Sequence, residues 1–446
     1  MPRNHRVSRR TALKLGAAAT ALPLVHIRTG HAAGKVAIGF WDHWVPAAND
    51  VMKSQCEAFA KAHQVDVQAD FITSVGSKNI LTIAAEGQAK TGHDVQQFPG
   101  WEVQNHADQL EPIDDVMQRL TAKYGPTSQA SEYLFKVKGH WLAVPSSAGN
   151  QNKGPCGRIS LLKQAGLDVL AMYPASADAT PAAEDWTYDK MLQVAEACQK
   201  MGKPVGIGLG VTADSVDTAG SMFAAFGAEL VSAKGDVTVK SDAVRQALEY
   251  AQKLVKFLPA DAVSWDDASN NRALISGASA LIWNPPSAWA VAKRDAPTVA
   301  ADCWTFPAPK GPKGRYVPLG AFSWGVWNFA PNKSAAKELI EYLSQREQVE
   351  ARANASLGYD LPPFASMTDF KIWDEVEPPK GTVYHYPIRK SHKAENWIAV
   401  APAPPEIAVQ IYNRGTLPTM LAKLQSGQSI QQVQDWAQDE LEGFVR

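Results

Sequence analysis

Apolar and polar positions alternate and recur along this chain in a way that first predicts a β-α-β opening. The run 35–40, KVAIGF, is nearly continuous in apolar residues and reads as a buried strand. Asn49 and Asp50 then offer helix caps, and Met52, Cys56, Phe59 and Ala60 fall on one helical face at i, i+4, i+7 and i+8. The stretch 65–71, VDVQADF, alternates with period two and predicts a second strand. Beyond it the pattern predicts a helix over 79–89, a strand over 94–98, and helices over 101–110 and 114–123, the last stopped by Gly125-Pro126. Residues 136–145 read as two β-like pieces around a Lys-Gly turn. Thr187 caps a helix carrying Met191, Leu192, Ala195 and Cys198, ended by Gly202. Further helices are expected over 242–258, 334–352 and 428–444, with strands over 278–283, which 270–276 leads into, and 322–329. Residues 353–405 are rich in proline and aromatics and give no local pattern.

Strands alternating with helices of this length predict an α/β fold with mixed or largely parallel sheets. Two punctuation points, near Pro145 and in the Pro/Gly cluster 307–314, interrupt an otherwise continuous pattern. They suggest two lobes whose chain segments interleave.

The first 32 residues change the picture of location and charge. Ser8-Arg9-Arg10-Thr11-Ala12-Leu13-Lys14 reads as a twin-arginine export motif, followed by a modestly apolar stretch and a small-x-small site at 30–32. These residues are expected to be a removed leader (1–32), leaving an exported, periplasmic protein. The full chain has 44 basic and 45 acidic residues; removing the leader's six basic residues leaves a net charge of −7. A mildly acidic surface argues against nucleic acid as a partner. None of the four cysteines forms a C-x-x-C pair, and Cys56 and Cys198 sit on apolar helix faces, so buried free thiols are expected there.

Catalytic signatures are weak. Ser334-Ala335-Ala336-Lys337 and Lys90-Thr91-Gly92 resemble pieces of penicillin-recognising enzymes, but their order is reversed and Ser334 has a capping position. Gly206-Ile207-Gly208-Leu209-Gly210 lacks the spacing of a dinucleotide cradle and reads as a tightly packed strand. No histidine pair has metal-ligand spacing; His385 and His392 are seven apart across Pro387. No cofactor or metal is expected.

The 14 tryptophans carry the functional signal. An indole face matches the apolar C–H patch of a sugar ring, while neighbouring Asp, Glu or Asn meet its hydroxyls. Such clusters stand at expected strand ends: Trp41-Asp42-His43-Trp44, Trp101-Glu102, Trp283-Asn284 with Trp289, and Phe322-Ser323-Trp324. The carboxyl ends of strands in open α/β sheets are where ligands bind. The expected ligand-binding residues are therefore Trp41, Asp42, Trp44, Trp101, Glu102, Asn284, Trp289 and Trp324. A secreted carbohydrate-active enzyme, which needs two carboxyls flanking one bond, and a receptor for a polyamine-like cation are the other readings of the same residues.

The order of several motifs resembles the extracellular solute-binding proteins of family 1, which serve ABC importers of sugars. Glu57-Ala58-Phe59-Ala60-Lys61, Gly92-His93-Asp94-Val95 leading to Leu110-Glu111-Pro112-Ile113-Asp114-Asp115, Lys138-Gly139-His140-Trp141-Leu142-Ala143-Val144-Pro145, Leu162-Lys163-Gln164-Ala165-Gly166-Leu167 and Asp185-Trp186-Thr187-Tyr188 carry the resemblance over nearly all of the mature chain. It implies a two-lobed periplasmic-binding fold of type II with a hinge, lobe one being 33–145 plus 307–345 and lobe two 146–306 plus 346–446. It further implies a monomeric, non-enzymatic receptor whose partners are a small solute and the membrane permease. The strand-one tip, the Trp101 loop, the 284–289 loop and the segment near Tyr412 match sugar-contacting regions. Ser287 and Ile411 stand at aromatic positions of the family, and Asn150-Gln151-Asn152-Lys153 replaces its usual Tyr-Tyr-Asn after the first hinge.

Overall fold

The computed structural model describes residues 34–174, 178–283, 285–375 and 393–445. The expected leader, Asn284, His385 and His392 lie outside them. The first strand, Lys35–Trp41, is buried from Val36 onward because it is covered on both faces and paired on both edges. It pairs in parallel with Asp66–Ile72 on one side and Val95–Pro99 on the other. Gly39 is required by the second pairing: a Cβ there would lie 2.4 Å from the Gln96 Oε1. The helix Pro46–His63 buries Met52, Cys56 and Phe59, the face its periodicity predicts. It starts before the expected caps, with Pro46 supplying a preset φ in its first turn. Asn49, expected as a cap, instead turns back to the strand tip: its Nδ2 donates to Asp42 Oδ1 at 2.8 Å, and its Oδ1 accepts from the His43 N–H at 3.1 Å.

The sheet continues with Tyr316–Val326, antiparallel to Val95–Pro99. Val144–Asn152 pairs antiparallel along the same strand, with a register shift between Gly320 and Phe322. Glu395–Trp397 pairs in parallel with its first three residues. These long strands lead out of the first lobe. In the second lobe Pro155–Arg158 lies between Leu281–Trp283 and Cys303–Thr305, both antiparallel to it. Around this small sheet gather Tyr188–Lys200, capped by Thr187 Oγ1, and Asp242–Leu254, capped by Ser241 Oγ. Ala213–Phe226, Pro405–Asn413, Thr416–Gln425 and Ile430–Val445 complete the helical layer. Among the described residues no helix is long and apolar enough to cross a membrane. Cys56, Cys156, Cys198 and Cys303 are all buried free thiols.

The structure differs from the pattern in several places. The expected helix 334–352 is two, Lys333–Leu343 and Arg346–Ala355, because Gln345 turns extended between them. The second of these stays with the first lobe, against the expected boundary at 345: Arg352 donates to Gln55 Oε1 at 2.7 Å, to Ser147 Oγ at 3.1 Å and to the Leu343 carbonyl at 2.7 Å. Phe364 then packs on Tyr124, and Ser366 N–H bonds the Tyr124 carbonyl, so the chain remains in that lobe well past 345. Residues 206–210 make only a single bridge, Gly206 to Ile282, rather than a strand. Their glycines allow Trp265 to approach; a Cβ on Gly210 would sit 2.5 Å from its carbonyl. The expected helix 101–110 is a short turn, Glu102–Asn105, followed by a 3₁₀ turn, Ala107–Gln109. The hairpin at 136–141 is as expected, with Lys138 and Gly139 both left-handed.

One buried network gives a pH prediction. His93 sits between Glu86 Oε1 at 2.6 Å and Asp70 Oδ2 at 3.1 Å. Burial alone would lower its pKa, but the bonds to Asp70 and Glu86 outweigh it and raise it to about 9. A raised folded pKa contributes stability that is complete below about 6.5 and lost as pH rises through about 9. The shift corresponds to at most roughly 3 kcal/mol. Wild type is expected to lose melting temperature between pH 6 and pH 9, and His93→Gln to lose much less, by thermal denaturation at the two pH values; equal losses would contradict the assignment.

Candidate functional site

The site starts at the tip of the first strand. Trp41 is buried, its Nε1 donates to Ser74 Oγ at 3.2 Å, and its ring lies 5.2 Å from Phe322 and 6.2 Å from Tyr359. His43 Nδ1 accepts from the Val45 N–H at 2.8 Å, so its proton is on Nε2, which donates to Asp360 Oδ1 at 3.0 Å. The Gly149 N–H donates to the same oxygen at 2.8 Å. This pair ties the strand tip, the crossing strand and the 359–360 segment together. Asp42 is exposed and Trp44 is half-buried beside it.

The crossing strand carries the next residues. Gln151 and Lys153 point to one face, two apart, and flank Gly320: a Cβ there would lie 2.8 Å from Lys153 Cε and 3.1 Å from Gln151 Cγ. Lys153 Nζ reaches Asp214 Oδ1 at 2.8 Å and Asp217 Oδ2 at 2.9 Å. These aspartates are three apart on one face of Ala213–Phe226, whose start is fixed by Thr212 Oγ1 accepting from the Ser215 N–H at 3.2 Å. Asn270 Nδ2 donates to Asp214 Oδ2 at 3.0 Å and to the Trp283 carbonyl at 3.1 Å. Burial works against the charge on Lys153, but Asp214 and Asp217 outweigh it and hold its pKa well above the ordinary value. Burial raises Asp217, with Lys153 opposing. Burial, and then the Asp214 charge, push Asp267 up to about 6. Burial, and then the Asp217 charge, raise Tyr412.

Tyr412 leads back to the first lobe. Trp101 is buried with its ring edge-on to Tyr133 at 5.2 Å and 6.1 Å from Tyr412. The Tyr133 hydroxyl donates to the Ala403 carbonyl, so both lobes touch here. Glu102 is buried and accepts from Asn105 Nδ2 at 3.0 Å.

Of the residues expected from sequence, Trp41, Trp101 and Glu102 therefore lie along this interlobe path, with Asp42 and Trp44 at its first-lobe end. Trp324 instead is fully buried between Phe40, at 6.5 Å, and the Arg352 guanidinium, at 5.1 Å. Trp289 is fully buried beneath Lys293. Gln151, Lys153, Asp214, Asp217, Tyr359 and Asp360 were not expected. Gln151 and Lys153 had a signal, because they lie where the family's Tyr-Tyr-Asn is replaced. Asp214 and Asp217 had one in their helical spacing after a Thr cap.

Several buried polar atoms along the path make no hydrogen bond: Gln151 Oε1, the Tyr359 hydroxyl, Asp360 Oδ2 and Trp101 Nε1. Buried polar groups are ordinarily paired, so this arrangement holds hydrogen-bonding capacity for a guest beside aromatic faces. Among the described residues no group of three His, Cys, Asp or Glu could hold a metal ion.

Residues 54–378 match a family described as bacterial extracellular solute-binding protein. No curated protein matches the sequence. Solved structures share the fold over its length. Maltose-bound MalE3 of T. maritima has a TM-score of 0.69 at 20% identity, over 92% of this chain and 99% of that one. A sugar transporter protein of Arthrobacter chlorophenolicus with bound laminaribiose has 0.71 at 16% identity, over 93% and 100%. The GacH receptor of Streptomyces glaucescens, known unliganded and with acarbose, has 0.68 at 19% identity, over 93% and 99%.

Proposed function

Because the chain belongs to the bacterial extracellular solute-binding protein family, we propose that it is the receptor of an ABC importer, capturing a sugar or related polyhydroxylated solute between its lobes and handing it to a membrane permease. Residues 1–32 act as a twin-arginine leader that is removed on export to the periplasm, where the mature protein works as a monomer and not as an enzyme. The observation that carries the ligand class is the interlobe path itself, where indole and phenol rings stand beside buried polar atoms that have no partner. Similar proteins with this fold have been solved with maltose, laminaribiose and acarbose bound, which supports a carbohydrate. Ring faces cover the apolar side of a sugar and the polar atoms its hydroxyls. Contacts from both lobes make the closed form the ligand-bound one, so affinity is set by how much better the closed form holds the solute.

Titration calorimetry against a panel of sugars and polyols tests this. One member should bind, and Trp101→Ala and Trp44→Ala should each weaken it about ten-fold or more, the scale of one lost aromatic contact. Unchanged affinity in both variants would refute the site. Incubation of the bound sugar with the protein should yield no product; cleavage would favour the carbohydrate-active enzyme instead.

A further inference from the structure

We propose that the captured solute is an amino sugar, held through a protonated amine as well as through its hydroxyls. The inference rests on the receptor reading and narrows it.

Charge is the first observation. Among the described residues, the charged groups along the path are the carboxylates Asp214, Asp217, Asp267 and Asp360 and the cations Lys153 and Arg352. Both cations are already engaged. Lys153 Nζ is fixed between Asp214 and Asp217 and is buried. Arg352 lies behind Trp324, with all three guanidinium nitrogens donating to the protein. His43 is held in its neutral tautomer by the Val45 N–H. Asp42 adds acid toward the first-lobe end, while Glu102 is paired with His106 Nε2 at 3.6 Å. An anionic sugar would meet this excess of carboxylate with no cation free to receive it, whereas a cationic one would relieve it.

The second observation is the kind of hydrogen bond left unmade. Gln151 Oε1 and Asp360 Oδ2 are both acceptors. Gln151 is 7% exposed and Asp360 is 0% exposed. Gln151 lies on the same face of its strand as Lys153, the cation that bridges the aspartate pair. Trp101 Nε1 is an orphan donor, and the unpaired Tyr359 hydroxyl can donate or accept. An ammonium offers three donors and no acceptor, and its bonds to carboxylate or amide oxygen are charge-assisted. The faces of Trp41, Tyr359 and Tyr412 attract a cation in addition. A neutral sugar satisfies the acceptors but leaves the charge excess; a hydroxyl-free polyamine relieves the charge but offers no acceptor to the unpaired Trp101 Nε1.

Calorimetry with the mature full-length protein tests the proposal, using matched sets of one sugar scaffold as hexose and as β-linked disaccharide. Each set holds the free-amine, N-acetyl, hydroxyl and uronic acid forms, and putrescine and spermidine complete the panel. The free-amine form should bind at least ten-fold tighter than the hydroxyl and N-acetyl forms, and the uronic acid weakest. Added salt should reduce the amine's advantage, and Asp267→Asn should shrink the amine-to-hydroxyl affinity ratio several-fold. Hydroxyl or N-acetyl forms binding as tightly as the amine would overturn the inference and leave the sugar receptor intact. Binding of polyamines without any sugar, or of nothing in the panel, would overturn both.

Discussion

Lys153→Met is expected to lower folding stability by about 3–5 kcal/mol, the cost of removing one partner from a buried ion pair. The substitution leaves Asp214 and Asp217 facing each other in the protein interior with their shared cation gone. Asn270 still donates to Asp214, but one neutral amide cannot offset two buried carboxylates. The sign with pH follows. Burial raises Asp217 and the variant removes the Lys153 charge that opposed it, so the deficit grows as pH rises and is relieved as it falls. Denaturant unfolding at pH 5 and pH 7 should show the larger deficit at pH 7. The triple variant Lys153→Met, Asp214→Asn, Asp217→Asn should regain most of the loss. A single variant as stable as wild type at pH 7 would show that the ion cluster is not buried as described.

Arg352→Met has the second largest expected effect, about 3 kcal/mol, since it strands buried neutral acceptors that each cost roughly 1–3 kcal/mol unpaired. The three bonds it removes join Arg346–Ala355 to the first helix through Gln55, to the crossing strand through Ser147, and to the preceding helix through the Leu343 carbonyl. Burial lowers the Arg352 pKa to about 10, so the group is still charged at neutral pH and Met removes a cation as well as a hub. Hydrogen exchange should speed up in 346–355 and in the helix Pro46–His63 while Asp242–Leu254 in the other lobe keeps its protection. Equal acceleration in both lobes would mean that Arg352 stabilises the whole molecule rather than this junction.

These two residues also mark where sequence reading stops. Helices with one wet face were legible: Asp242–Leu254 and Tyr188–Lys200 were found because their apolar positions recur every third or fourth residue behind a Ser or Thr cap. Ala213–Phe226 was not, because it is buried from Ser215 to Ala225 and so shows no polar stripe, although it holds Asp214 and Asp217. The break at Gln345 was invisible because no Gly or Pro marks it: Ser344-Gln345 joins the two helices with no breaker residue. The lobe assignment of 346–375 depends on Arg352, a residue type expected at the surface, bonding inward to partners some 200 and 300 residues away in sequence. At the site, aromatic residues announced themselves by type. Trp324 and Trp41 lie on strands of one sheet separated by Val95–Pro99, but Trp324 faces the layer that holds Phe40 and Arg352. Which face of a strand is wet is not local information when both faces are apolar. The polar half of the site is assembled from Gln151, Asp214 and Asp360, which only the crossing strands bring together.

The burial of all four thiols has a practical consequence. A thiol-reactive dye attacks accessible thiolates, and burial pushes Cys56 up to about 12 and Cys198 up to about 11. A cysteine engineered onto the exposed surface of each lobe would thus be labelled in preference to the native ones. A donor and acceptor dye placed this way would turn lobe approach into an energy-transfer signal, making the receptor its own optical sensor for the solute.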